Sequence, residues 1–423
     1  MSALVFLVLL LLGLPLAFAL LAGGLVYFAM DSHLPITVAV QRMVAASQSF
    51  PLLAVPFFVL AGHVMNHSGI TQRLITVSNV LVAWISGGLA HVTIVLSALM
   101  GGVSGSAIAD AAMQARVLGG PMQSSGLSKG FTAATITVSA LITACIPPSI
   151  GLILYGYMGN VSIGRLFLAG LIPGILLTLV LMLVVYVQAR KKGFTPVQAA
   201  PPSAMQVLKA LNQSKWALCF PILLIVTIRF GIFTPSEAGA FAVLYACIVG
   251  KWVYRELTLA ELITSLRDSI SDIGMIMFII LSSGVVGYAI AYEQLPVSLT
   301  LAVTQLTTQP QLILLLCMVI LLVVGVVMEG TITVLLLTPI LVPLMQSVGV
   351  DPVHFGILML IMVTFGGTTP PVGIAMYAVC NILHCSATDY VKAAMPLFLA
   401  VLALVVVLAL YPPLVLFLPD LLF

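Results

Sequence analysis

Apolar runs near the length of a bilayer crossing recur along the whole chain, at residues 3–30, 164–188, 216–233, 238–254, 312–328 and 391–410. A helix needs about 20 such residues to cross the hydrocarbon core. In that solvent only helices and closed barrels satisfy their own backbone hydrogen bonds, and the alternating pattern of barrel strands is absent. The chain reads as an all-α polytopic membrane protein. Its charged fraction of 6% compares with roughly 25% in soluble domains. The first run has no basic flank and no clear cleavage site, so it reads as a retained helix. Within it, LLGLPLAF (residues 11–18) offers a point at which the span divides into two short pieces.

The net charge of +3 says little about partners, and its placement says more. Arg190, Lys191 and Lys192 precede a polar, Pro/Ala-rich stretch that carries Lys209 and Lys215. This stretch divides the chain into a first part (1–193), a linker (194–215) and a second part (216–423). Lys251 and Arg255 lie two helices later, and the positive-inside rule makes both groups cytoplasmic. Nothing in the charge pattern calls for nucleic acid. The six cysteines are scattered through apolar segments and suit small buried hydrophobes; the Cys380–Cys385 spacing is no metal signature. The six histidines share no ligand spacing.

The chain repeats itself. GGPMQSSG ends at Gly126 and LVPLMQSVG ends at Gly349, an offset of 223. The same offset carries Pro147-Pro148 onto Pro370-Pro371 and Pro173 onto Pro396. Upstream, GSAIAD faces GTITVL with a shift of about two residues. Threading from the basic loop runs the halves in opposite senses, each with a re-entrant hairpin and a discontinuous helix. Twelve of the fifteen Lys and Arg then face the cytoplasm, all but Arg42, Arg165 and Arg229. Surface helices are expected at 31–49 and 257–271, on opposite faces.

Inverted repeats with discontinuous helices are the architecture of secondary transporters, which bind at the midplane where helices break. Four polar breaks stand out: 102–110, CIPPSIG (145–151), MEGTITV (328–334) and FGGTTPPVG (365–373). Glycine permits the backbone such loops need, and proline ends a helix and frees carbonyls of the preceding turn. Freed carbonyls with Ser and Thr hydroxyls make hard oxygen cages suited to Na⁺. The helix N-termini that follow favour an anion. Asp110 and Glu329 add charge for a cation or a proton. Plainer readings exist for each residue. Ser104 and Ser106 also suit a close helix crossing; Thr368 and Thr369 also suit relief of a proline kink. Asp110 also suits a structural pair with Arg116, and Glu329 a similar role. Glu237 in TPSEAGAF suits a helix cap.

At these residues, SGSAIADAA, IPPSIGLILYGYMGNVSIGRLFLAGLIPG, FTPSEAGAFAVLYA and FGGTTPPVGIAMY resemble the large membrane subunit of tripartite ATP-independent periplasmic (TRAP) transporters. The resemblance covers nearly the whole chain. It implies a Na⁺-coupled, elevator-type importer of the bacterial inner membrane, without an organic cofactor and not an enzyme. It implies two partners: a separate small four-helix membrane subunit, and a soluble periplasmic binding protein that delivers an organic acid such as a C4-dicarboxylate, a 2-oxo acid or a sugar acid. Membrane lipid surrounds the whole. By motif, Ser104, Gly105, Ser106, Asp110, Pro147, Pro148 and Ser149 form the substrate and Na⁺ region of the first repeat. Glu329, Gly330, Thr331, Thr333, Gly366, Gly367, Thr368, Thr369, Pro370 and Pro371 form that of the second. Ser104, Ser106, Thr331 and Thr368 are the candidate Na⁺ ligands. ADAAMQARVLGG and ITACIPPSI depart from the usual family pattern beside this region.

The resemblance further implies a moving domain, about 85–158 and 312–380, carried against a scaffold that includes 216–233 and 238–254 and meets the small subunit. Trp216 and Trp252 bracket that helix pair near the cytoplasmic interface. Three other classes compete. GVSGSA with His354 or His384 is reminiscent of an intramembrane serine protease. A cation-coupled symporter working without a binding protein, and a passive channel, are the others.

Overall fold

The computed structural model describes residues 2–30, 33–198, 200–307 and 309–423, and among these it is helical with no strand. The first part contains α1 (Ser2–Leu11), α2 (Leu16–Met30), α3 (Ile36–Ser47), α4 (Ala54–His67), α5 (Ile70–Val82), α6 (Gly88–Gly101), α7 (Ala107–Ser124), α8 (Lys129–Cys145), α9 (Ile150–Met158) and α10 (Ile163–Lys192). The second contains α11 (Ala204–Arg229), α12 (Pro235–Ile248), α13 (Leu259–Tyr292), α14 (Leu295–Leu306), α15 (Pro310–Val327), α16 (Gly330–Ser347), α17 (Pro352–Gly366), α18 (Ile374–Leu383), α19 (Ala387–Leu410) and α20 (Pro413–Leu422). Eight helical segments of the described residues are long and apolar enough to cross a membrane, and α8 with α9 makes one further span bent by 46°.

The offset of 223 now aligns whole helices. Ala107 plus 223 is Gly330 and Ser124 plus 223 is Ser347, so α7 and α16 coincide end to end without a gap. The expected two-residue shift at this hairpin is therefore wrong: Ser106 and Glu329, themselves 223 apart, are the N-caps of the two helices. Likewise α8, α9 and α10 correspond to α17, α18 and α19 within two residues at their starts. The repeats exchange contacts crosswise: α7 packs on α18, α16 packs on α9, and α8 meets α17. That is the pattern of a pseudo-two-fold axis between them.

Contacts between residues far apart in the chain test the inverted threading. On the cytoplasmic side, Arg73 pairs with Glu256 at 2.7 Å and stacks on Tyr254, and Lys192 lies over Phe131. On the other side, Arg165 pairs with Asp420 at 2.8 Å, Arg42 lies over Tyr288 and Arg229 over Phe423. Each contact joins two residues that the threading puts on one face. The three Arg expected outside all find partners there. The halves are inverted.

The span at 3–30 divides within LLGLPLAF into two helices, because Gly13 turns at φ +82° and Pro15 supplies no donor to continue the first. Two other expectations need correction. Among the described residues of the linker, helix is absent only up to Ser203. There a reciprocal cap between Ser203 and Gln206 starts α11, which therefore begins twelve residues before Trp216. The surface helix at 257–271 is not separate from the span that follows: α13 runs unbroken through 34 residues. Its counterpart in the first half, 223 residues earlier, is α3 plus α4, interrupted at Gln48–Leu53 where Pro51 falls. Nothing in α13 removes a backbone donor at that point. Of the helix expected at 31–49, residues 31 and 32 lie outside the described residues, and α3 supplies the rest.

The two arms still lie at opposite ends of the antiparallel α4–α13 pair. Arg42 of α3 stacks on Tyr288 near the end of α13, whereas Ser265 of the α13 arm donates to the His63 carbonyl near the end of α4. Glu237 caps α12 reciprocally with Thr234, as expected. Helix α8 is buried from Gly130 to Cys145 and α17 nearly so from Val353 to Gly366, which places them at the centre of the core.

Single cysteines in a background freed of the six native ones test this topology. Ser47→Cys should react with an impermeant maleimide from outside intact cells, and Asp268→Cys only after permeabilisation. Labelling of both from one side would break the inverted assignment.

Candidate functional site

Each break is built by a different local rule. In hairpin one, Gly105 adopts φ +61°, open to glycine. A Cβ there would strike the Pro148 carbonyl oxygen, so the hairpin tip and the first broken helix touch backbone to backbone. The Ile150 N–H donates to the Gly105 carbonyl at 3.3 Å and ties them together. In hairpin two, the α15 backbone at Gly325 lies so close to Gly366 that a side chain on either would meet main-chain atoms. Both double prolines carry a cis bond between them. Beyond the second, the Ala375 N–H donates to the Gly367 carbonyl at 3.0 Å and closes the loop.

All four breaks open into one cavity of ≈ 780 Å³, its open mouth included. Its lining contains Gly105, Ser106 and Ala107 from hairpin one, and Glu329, Gly330 and Thr331 from hairpin two. Ser149 and Ile150 come from the first broken helix, and Gly367, Thr368, Ile374 and Ala375 from the second. The N-termini of α7, α9, α16 and α18 thus contribute residues to the same space. Each such terminus leaves unsatisfied N–H groups and a partial positive charge. Among the described residues, no lysine, arginine or histidine lines the cavity, and the one ionisable lining group is Glu329.

The Glu329 carboxylate accepts from Thr331 Oγ1 at 2.9 Å and from the Ile332 N–H at 3.3 Å. Thr368 Oγ1 donates to the Phe365 carbonyl at 2.8 Å and Thr369 Oγ1 to the Gly366 carbonyl at 2.9 Å. Their lone pairs stay free to accept or coordinate. The Thr368 carbonyl is held by Tyr390 Oη at 2.7 Å. Ser149 Oγ is buried, lines the cavity and has no partner. An orphaned hydroxyl beside further hydroxyls, a carboxylate and loop carbonyls is a hard-oxygen set of the kind that fits a Na⁺ ion.

Of the expected site residues, Gly105, Ser106, Ser149, Glu329, Gly330, Thr331, Gly367 and Thr368 line the cavity. Ser104, Asp110, Pro147, Pro148, Thr333, Gly366, Thr369, Pro370 and Pro371 do not. Ser104 lies toward α4, within 4 Å of where a Cβ on Gly62 would sit. Pro147 and Pro148 are buried, whereas Pro370 and Pro371 are exposed. Thr333 donates to the Glu329 carbonyl at 3.1 Å within α16. Asp110 is buried behind hairpin one among Ser97, Gln114 and Thr143; Arg116, its alternative partner, is exposed.

Thr137, Ala140, Leu141 and Ala144 of α8, Leu360, Val363 and Thr364 of α17, and Ile276 of α13 also line the cavity. The hydroxyls at 132, 135, 137, 139 and 143 were a readable signal, since that many in one buried apolar helix need a use. Ile276 carries no signal of its own.

The family profile described as "Tripartite ATP-independent periplasmic transporter, DctM component" matches residues 3–414. The chain belongs to that family. It is 36% identical over 409 residues to the sialic acid TRAP transporter large permease of Vibrio cholerae, covering 97% of this chain and 95% of that one. It is 35% identical over 404 residues to the 2,3-diketo-L-gulonate TRAP transporter large permease of Escherichia coli, covering 95% and 94%. It is 33% identical over 379 residues to the C4-dicarboxylate TRAP transporter large permease of Pseudomonas aeruginosa, covering 90% and 88%. The fold resembles the crystal structure of the Alcanivorax borkumensis YdaH transporter, with a TM-score of 0.65, 13% identity and 90% of each chain covered. The protein is thus a multi-pass inner-membrane TRAP large permease. Its relatives are transport permeases and not enzymes, which removes the serine protease reading.

If the second break matters as a break, Pro370→Ala with Pro371→Ala should let helix run through it and withdraw carbonyls from the cavity. Transport should fall at least about tenfold, equivalent to ~1.4 kcal/mol, in a protein that elutes as wild type from gel filtration. Full activity from the folded double variant would reduce the break to a kink.

Proposed function

We propose that this large permease imports an organic acid, driven by Na⁺, which a periplasmic binding protein delivers and a separate small membrane subunit helps to receive. The observation that carries the reading is the convergence of four helix N-termini on one cavity without a basic side chain. Backbone dipoles favour the carboxylate of the substrate, and Na⁺ held by hydroxyl, carbonyl and Glu329 oxygens supplies the full positive charge that the lining lacks. The relatives named for sialic acid, 2,3-diketo-L-gulonate and C4-dicarboxylate are all named for organic acids. The cavity's hydroxyl-rich walls suit an acid bearing further hydroxyl or keto groups.

Movement follows an elevator. The hairpins and the second halves of the broken helices, α9 and α18, pack with α8 and α17 as one unit, with α10 and α19 against them. In the pocket lining, α13 contributes Ile276 alone from outside that unit. The arms at opposite faces join this unit to the scaffold, so the site crosses without being rebuilt. The small subunit meets the scaffold helices, where α11 and α12 leave apolar surface exposed at Ile222, Val226, Leu244 and Ile248.

Uptake by proteoliposomes holding the complete complex should require a Na⁺ gradient and no ATP. Undiminished uptake with choline in place of Na⁺ would defeat the coupling. Uptake without any binding protein would favour the independent symporter. For the elevator, spin labels on one residue of each unit should give a distance that changes by many ångströms between Na⁺, substrate and binding-protein conditions. A single unmoved distance would favour local gating at the hairpins.

A further inference from the structure

A groove lies apart from the cavity, between α2 and the outer end of α13. On α2 its lining is Leu20, Gly23, Gly24 and Tyr27, at i, i+3, i+4 and i+7. On α13, Val286, Ala289 and Ile290 keep the same spacing, which ends on the cap residue Glu293. Residues so spaced share one helix face, so the groove runs lengthwise between two facing stripes. Phe6 of α1 and Leu295 of α14 also line it.

The stripes leave room because they carry little side chain. The two helices are close at Gly24, where a Cβ would stand 2.9 Å from Val285 and 3.4 Å from Val286. Beside that contact the walls are glycine and alanine. The groove measures ≈ 730 Å³, its open mouth included, a size within the range of small-ligand sites, about 300–1,000 Å³. Its polar groups gather at the outer end, where Tyr27 Oη donates to Glu293 Oε1 at 2.6 Å. Glu293 is exposed and directly follows the last residue of the α13 span. It takes part in none of the ion pairs among the described residues. Arg42, on the same side of the membrane, stacks on Tyr288 instead.

We propose that this groove holds an acyl chain of an outer-leaflet phospholipid with a primary-ammonium headgroup, phosphatidylethanolamine in chemistry, whose ammonium meets the Glu293 carboxylate. The apolar length suits the chain. The carboxylate at the mouth selects the head, because an ammonium forms a charge-assisted hydrogen bond with it and the net negative charge of phosphatidylglycerol is repelled. A partner's helix, about 10–12 Å across with its side chains, is a poor fit between two helices already in contact at Gly24. The helices α11 and α12, proposed above to meet the small subunit, contribute nothing to the lining. The lipid's seat is independent of the Na⁺ coupling. It borders the corner at which Gln294, at φ +51°, turns the chain into α14 and on toward hairpin two.

The test uses the complete complex in membranes of equal parts phosphatidylethanolamine and phosphatidylglycerol. Each membrane carries a trace of one of these lipids with a diazirine in an acyl chain. After illumination, labelled peptides are identified by mass spectrometry. Peptides containing 20–27 and 286–293 should take several-fold more of the ethanolamine probe than of the glycerol probe. The exposed apolar face of α10 at Leu179 and Leu183 should take both alike. Glu293→Gln, at an exposed helix end, should bring the two probes to one level at the groove. Ala289→Phe should fill the groove and remove labelling by both. Equal labelling of the wild-type groove, or a preference that survives Glu293→Gln, would overturn the proposal. Labelling that persists in a folded Ala289→Phe variant would place the probe outside the groove and overturn it too. So would a photoreactive residue at Leu20 that crosslinks to the small subunit in place of lipid, since a protein would then cover the groove.

Discussion

Backbone that is not helical has no water to bond with at membrane depth, and this structure depends on how that cost is met. Each unpaired N–H or C=O in hydrocarbon costs several kcal/mol. The chain breaks its helices at four places and turns the broken ends toward one another. Gly105 O takes the Ile150 N–H, Gly367 O takes the Ala375 N–H, and Tyr390 holds the Thr368 carbonyl. The buried Ser149 hydroxyl at the first break is left without a partner and belongs to a residue that lines the cavity. Two helices without an exposed face, α8 and α17, make this possible by walling the breaks off from lipid.

The inverted repeat builds both halves of the site on one backbone plan and then differentiates them by side chain. Ser106 and Glu329 occupy the same N-cap position, one neutral and one charged. Asp110 and Thr333 occupy the same position one turn later, with the charge reversed between the halves. Each half thus contributes one carboxylate near its hairpin tip, but at different depths: Glu329 lines the cavity and Asp110 lies behind it. Symmetry supplies the geometry of two like binding loops, and the departures from symmetry decide what each loop holds.

Most of the breaks were legible because glycine, proline and carboxylates are conspicuous in a chain that is 62% hydrophobic. The double prolines marked both broken helices, and the basic residues oriented the chain. What stayed hidden depended on packing. Asp110 and Glu329 look alike in sequence, but Glu329 caps its helix at the cavity whereas Asp110 sits one turn inside its own, against Ser97 of α6 and Thr143 of α8. The continuity of α13 was masked by a change from amphipathic to apolar pattern midway, which marks where the helix enters the membrane and not where it ends. The start of α11 was masked by the polar composition of its first turns, although Ser203 and Gln206 spelled out its cap. The contribution of α8 to the cavity needed the three-dimensional crossing of α8 with the hairpins, since its threonines are spread over several turns.

The charge of the cavity links the pieces into a mechanism. On the proposed reading the substrate is an anion, and the one charged side chain in the lining, Glu329, is an anion as well. Four helix N-termini offer only partial charges, each worth typically 0.3–1 kcal/mol at exposed sites and up to ~2 in partly buried ones. They do not by themselves offset the repulsion of two full negative charges in a site of low dielectric. Substrate binding then depends on Na⁺ already being present, and by linkage the substrate must tighten Na⁺ by the same factor. On that reading the missing basic residue would make the coupling obligatory: an arginine in this cavity would bind the acid without the ion, and the gradient would no longer drive it.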